Sequence, residues 1–302
     1  MGNDDWLAIL YLLKRPEVRV TAVTVTGTGL AHAGPGARNA LDLVALAGQP
    51  DIPVAAGRET PLATDHVFPA EWRAGVDALQ GLSLPPNPQP LSSLSAVDLF
   101  TAVLQDSPVK VTVLALGPLT NLAEALQMTP SLKDNIEAIY YMGGAVDVEG
   151  NIASSNVGIN NRFAEWNIYC DPRAASIVFR SGIPIILIPL DATNFVPATT
   201  NFYSRIKARH TTPEATFVFD TLTQYSKYLD AGGFYFWDPL AAALLTDETL
   251  AQYEWRALSV VEDEGLESGR LIADPSGPVI RFARSPDTGR FEAVFLDTLN
   301  AP

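Results

Sequence analysis

Along this chain, runs of β-branched and aliphatic residues alternate with runs whose apolar residues recur at three- and four-residue spacing. Residues 18–27 (VRVTAVTVTG), 52–57 (IPVAAG), 109–117 (VKVTVLALG), 136–144 (IEAIYYMGG) and 183–191 (IPIILIPLD) read as strands. Residues 6–14 (WLAILYLLK), 37–48 (ARNALDLVALAG), 171–182 (DPRAASIVFRSG) and the stretch TNLAEALQM after the third strand carry a helical period. Continuous apolar strands separated by helices predict an α/β fold with an open, mostly parallel, Rossmann-like sheet flanked by helices. Residues 58–95, with PPNPQP at 85–90, lack a clear period and read as a loop-rich insertion. From 255 onward the pattern alternates, in LSVVEDE, LIAD and FEAVFLD, and predicts antiparallel strands at a sheet edge. No internal repeat stands out, and 1–302 reads as one domain.

Composition narrows the class. A formal net charge of −14 argues against a nucleic-acid surface, which needs clustered Lys and Arg. Cys170 is the single cysteine, so an internal disulfide and a cysteine zinc site are both excluded. No apolar run is long enough to span a bilayer, and Asp4 and Asp5 stand where a leader would carry basic residues. The expectation is a cytoplasmic protein with no membrane partner.

In a parallel sheet, ligands bind beyond the carboxyl ends of the strands, so the residues following each strand matter most. Asp4 and Asp5 open a helix; they read either as a capping pair or as adjacent carboxylates suited to a hard cation. In AEWNIYCDP (164–172), Glu165 and Asn167 flank Trp166 ahead of a helix that Asp171-Pro172 starts. In an extended segment they face the same way, toward a polyhydroxyl ligand; the other reading is a helix cap. Asp238-Pro239, in GGFYFWDPLAAALL, is also an ordinary helix start. P-loop, GxGxxG and GxSxG motifs are absent, and His32, His66 and His210 show no ligand spacing.

Taken together and in order, GNDDWLAILYLL, TVTGTG with RNAL, IPVAAG, ALGPLTNLA, YMGGA with a later GN, AEWNIYCDP and FWDPLAAA resemble the nucleoside hydrolases of the inosine–uridine-preferring type. The C-terminal SGRLIAD and RFEAVFLD fit as well, so the resemblance covers nearly the whole chain. It implies hydrolysis of the N-glycosidic bond of a ribonucleoside, a calcium ion as cofactor, and a homodimer or homotetramer. It also implies roles by position. Asp5, Asp238 and the Leu116 carbonyl would hold Ca2+, and Asp4 would meet the ribose hydroxyls. Asn151, Glu165 and Asn167 would grip the ribose, with Asn156, Asn160 or Asn161 as substitutes for Asn151. Asp4, Asp238 and Glu165 would form the catalytic set, because departure of the base builds positive charge on the sugar.

Further, the resemblance implies that Asp4 and Asp5 end a DxDxGxDD motif closing a first strand. Its second aspartate, the family's metal ligand and general base, would lie one residue before Met1. The chain as written is then expected to lack that strand and base. A rival expectation follows, a truncated or inactive relative that binds ribose or nucleoside without cleaving it. Trp237 stands where purine-specific members place a tryptophan, and Trp72, in a loop-like segment, is a candidate second stacking plate. The expectation leans to purine nucleosides.

Overall fold

Valine, isoleucine and leucine without interruption make a strand that must be covered on both faces, and the run at 185–188 is the clearest case. All four of its residues are buried. The computed structural model describes residues 1–302. In chain order the elements are α1 (Asn3–Leu13), β1 (Val23–Val25), α2 (Ala33–Leu46), β2 (Val54–Ala56), α3 (Ala70–Asp77), α4 (Ala96–Asp106), β3 (Val111–Ala115), α5 (Thr120–Met128), β4 (Ile136–Met142) and α6 (Trp166–Cys170). There follow α7 (Pro172–Phe179), β5 (Ile185–Ile188), α8 (Leu190–Thr193), α9 (Thr200–Ala208), α10 (Pro213–Gln224), α11 (Trp237–Thr246), β6 (Gln252–Val260), β7 (Leu271–Ala273), β8 (Val279–Arg284) and α12 (Thr288–Leu299).

Six strands form one sheet in the order β3-β4-β5-β8-β6-β7. The first four run parallel, while β6 joins β8 and β7 antiparallel. Helices cover both faces, as the alternation predicts. A large core unites α1, α2, α11 and α12 on one side, and a second unites α4, α5 and α7 on the other. β1 and β2 form a separate parallel pair. Between β1 and β3 runs a cleft of about 730 Å³.

Three expectations change. The strand read over 18–27 shrinks to Val23–Val25, because β1 has a neighbour on one edge only. The segment 58–95 holds α3, so Trp72 sits on a helix rather than a loop; Arg73 pins that helix by donating to the carbonyls of Gly27 (2.6 Å) and Ala31 (3.2 Å). FEAVFLD is helical, not a strand. Phe291, Phe295, Leu296 and Leu299 fall on one buried face of α12, a spacing of four, five and eight that a seven-residue window truncates.

Candidate active site

The carboxyl ends of the strands surround a cavity of about 560 Å³, within the range of small-molecule sites. Its floor is acidic. α1 presents Asp4 and Asp5 from its first turn, and α11 presents Asp238 from its own. One carboxylate oxygen from each lies within 4.8 Å of the others. The capping readings divide here. Asp5 accepts the Gly2 N–H and so closes α1, yet Asp238 caps nothing, since Phe236 occupies the N-cap of α11. Asp238 is 1% exposed, and its Oδ1 has no hydrogen-bond partner. Burial, then repulsion from Asp4 and Asp5, pushes its carboxyl well above the usual range. Burial and the neighbouring Asp5 likewise push Asp4 up to about 7. Three crowded carboxylates with an orphaned buried oxygen are a poor arrangement on their own and a good one around a cation. An all-oxygen donor set suits a hard ion such as calcium.

The wall opposite is built by the α6 segment. Glu165 is the N-cap of α6, and its two oxygens accept from Asn167 N–H and Gly144 N–H, each at 2.9 Å. Gly144 follows β4 with φ +79°, a conformation glycine adopts without strain. Burial pushes Glu165 up to about 7, against those two hydrogen bonds. Because α6 begins at Trp166, the extended geometry expected for 165–167 does not hold beyond Glu165. Glu165, Trp166 and Asn167 all border the cavity. The Asn167 amide donates to the carbonyls of Leu116 (3.1 Å) and Met142 (3.0 Å), tying the ends of β3 and β4 together. Leu116 borders the same cavity beside Asp5.

Asn151 lines the cavity as expected. A Cβ on Gly150 would meet the Ala164 carbonyl oxygen at 2.0 Å, so the glycine permits the close crossing that sets Asn151 beside Glu165. There the Asn151 Oδ1 accepts the Trp166 N–H at 3.2 Å. Asn156, Asn160 and Asn161 are not in the lining, and Asn161 is spent on the N–H groups of Phe163 and Ala164 and on the Ser268 carbonyl.

Aromatic rings form the mouth. Trp72 and Trp237 both line it. Phe68, Trp166 and Tyr235, not among the expected site residues, line it too. Trp166 stacks on Phe68 (4.5 Å, 21°) and meets Trp72 edge-on (5.9 Å, 62°), while Tyr235 packs on Trp237 at 5.3 Å. An aromatic within an otherwise polar E-W-N triplet was the available signal for Trp166.

Comparison with known proteins identifies the family. The family model described as inosine-uridine preferring nucleoside hydrolase matches residues 1–293. The pyrimidine-specific ribonucleoside hydrolase RihA of Citrobacter koseri is 37% identical over 227 residues, 75% of this chain and 69% of that protein. Uridine nucleosidase 1 of Arabidopsis thaliana is 32% identical over 276 residues, 90% of this chain and 79% of the plant protein. The solved purine-preferring ribonucleoside hydrolase from Gardnerella vaginalis superposes with a TM-score of 0.81 at 29% identity, over 99% of this chain and 95% of that one. On the strength of a match spanning nearly its whole length, the chain belongs to the inosine-uridine preferring nucleoside hydrolase family.

Proposed function

We propose that this ribonucleoside hydrolase works with calcium and prefers purine nucleosides, releasing ribose and the free base. One observation carries the reading: Asp4, Asp5 and Asp238 converge at the floor of a cavity whose mouth is aromatic. Asp5, Asp238 and the Leu116 carbonyl would hold the ion. When bound, calcium neutralises the crowded carboxylates and acidifies a water in its shell. Asp4 accepts from ribose hydroxyls, and Asn151 and Asn167 Oδ1 orient the sugar from the opposite wall. Glu165, once ionised, places a negative charge beside the anomeric carbon, where departure of the base builds positive charge; preorganised charge of this kind is usually a large catalytic term. Trp237 and Trp72 offer π-faces to the base, and a purine has the larger face to stack.

No helix is long and apolar enough to cross a membrane. The lone buried Cys170 suits the reducing cytoplasm, where we place the enzyme. The test is base release from inosine and uridine, followed by chromatography, with calcium and with a chelator. Calcium-dependent release, faster from inosine, is the expected result. Saturable inosine binding without release would instead favour the non-cleaving relative, and faster release from uridine would overturn the purine preference.

A further inference from the structure

Trp166 is held at two points by one loop. Its main-chain N–H donates to the Asn151 Oδ1 at 3.2 Å, and its indole N–H donates to the Ser155 hydroxyl at 3.2 Å. That hydroxyl has a single proton, which goes to the Asn151 carbonyl at 2.6 Å, so a lone pair is left for the indole. Ser155 borders the cavity from the short turn Ala153–Ser155, while Trp166 is 5% exposed. A donor so enclosed needs its acceptor. The rest of this wall does not need the hydroxyl. Asn151 N–H donates to the Ala164 carbonyl at 3.1 Å, and the Asn151 carbonyl has a second donor in the Ser154 hydroxyl at 3.2 Å. Removing the Ser155 hydroxyl therefore leaves Asn151 anchored and strips the indole N–H of its partner.

The Trp166 ring in turn limits Trp72. The main chain of α3 is already fixed, by Arg73 on the carbonyls of Gly27 and Ala31 and by the Asn39 amide on the Val76 carbonyl at 3.2 Å. What stays free at Trp72 is its side-chain torsion, and the ring is 38% exposed at the mouth. Trp166 is the one aromatic ring it meets, edge-on at 5.9 Å and 62°. Phe68, stacked on Trp166, holds the plane of the indole but not its rotation within that plane; the hydrogen bond to Ser155 sets that rotation. We propose that Ser155 is a positioning residue: its hydroxyl orients the Trp166 indole, and the indole orients Trp72 as a plate for the base. The inference rests on the stacking role proposed above for Trp72. It makes one hydroxyl beside the sugar-binding Asn151 responsible for geometry on the base side of the cavity.

The probes are 9-deazainosine, a nucleoside whose carbon–carbon glycosidic bond cannot be hydrolysed, and ribose, which has no base. Dissociation constants for both are measured with calcium present, so no readout depends on turnover. Ser155→Ala should weaken 9-deazainosine binding roughly 3–10-fold, the size of one lost aromatic contact, and change ribose binding by less than ~2-fold. Ser155→Thr, which keeps the hydroxyl, should bind both as wild type does. The chain has five tryptophans, and the indole N–H signal lost in Trp166→Phe belongs to Trp166. That proton should exchange with solvent at least ~10-fold faster in Ser155→Ala and not in Ser155→Thr. In a Trp72→Ala background, Ser155→Ala should weaken 9-deazainosine no further. Equal losses for the two ligands would place Ser155 with the ribose wall and overturn the inference, as would a full loss that persists without Trp72. Normal 9-deazainosine binding by Ser155→Ala, with weakened binding by Trp72→Ala, would overturn the inference and leave the stacking role standing. Normal binding by Trp72→Ala would remove the stacking role itself, and this use of Ser155 with it.

Discussion

Glu165 carries two demands that pull its proton in opposite directions. Its oxygens accept two backbone N–H groups, which favours the carboxylate, but burial dominates and raises it from 4.5 to about 7. Between those values the folded chain holds a proton that the unfolded chain has released. Its stabilising contribution is therefore full below pH 4.5 and lost as pH rises through 7, by up to ~1.4 kcal/mol per pH unit inside the window. Asp4 and Asp238 are displaced the same way and steepen the total slope. In chelator, the urea midpoint should fall between pH 5 and 7.5, and Glu165→Gln should flatten part of that fall; parallel slopes for the two proteins would rule out the assignment. Trp237 makes a separate residue-scale case. It is half-buried and lines the cavity, packed against Tyr235 and Phe234, so part of its ring stays accessible. Base stacking is worth ~1–3 kcal/mol. Trp237→Ala should thus lower kcat/KM for inosine by roughly 10-fold or more, and for uridine by less. Equal losses in steady-state kinetics would remove the stacking role.

Among the elements, α7 shows how much a single cap holds. Asp171 accepts from Ala174 N–H at 3.0 Å, from Leu62 N–H at 3.0 Å and from the Thr120 hydroxyl at 2.8 Å, and it is fully buried. It fastens the start of α7 to α5 and to the segment after β2. Asp171→Ala should cost about 2–4 kcal/mol, through the lost cap and the unpaired donors. Asp171→Asn, which keeps an acceptor, should cost less, and denaturant midpoints that place both within 0.5 kcal/mol of wild type, roughly the scatter of surface substitutions, would contradict this. The Asp171-Pro172 start was legible because a cap followed by proline is a local signal. The strands at 111–115, 136–142 and 185–188 were legible because each is a short apolar run rich in β-branched and aromatic residues; 185–188 is buried throughout, while 111–115 keeps the pattern although its residues are half-buried or exposed. What escaped depends on distant partners. Nothing local in VRVTAVTVTG tells that it lacks a neighbour on one edge, and FEAVFLD reveals its helical period only when Leu299 is counted. Trp72 was legible as a residue and not as a position, because Arg73 fixes α3 through carbonyls over forty residues away in sequence.

For the whole molecule, the acids and the sheet meet at one place, the end of the cleft where Met1 and Asp5 border both cavities. Asp4 and Asp5 come from α1 and Asp238 from α11, so the cluster joins two helices that are far apart in sequence at a single point. Carboxylates this close repel one another, and a cation seated among them binds the folded chain and not the unfolded one. Calcium should therefore raise the melting temperature above its value in chelator, and the size of that shift should grow with calcium concentration. Asp238→Asn takes one charged ligand from the ion, so the same calcium concentration should raise its melting temperature by less. A calcium shift of equal size in the two proteins would mean that the ion does not rest on Asp238.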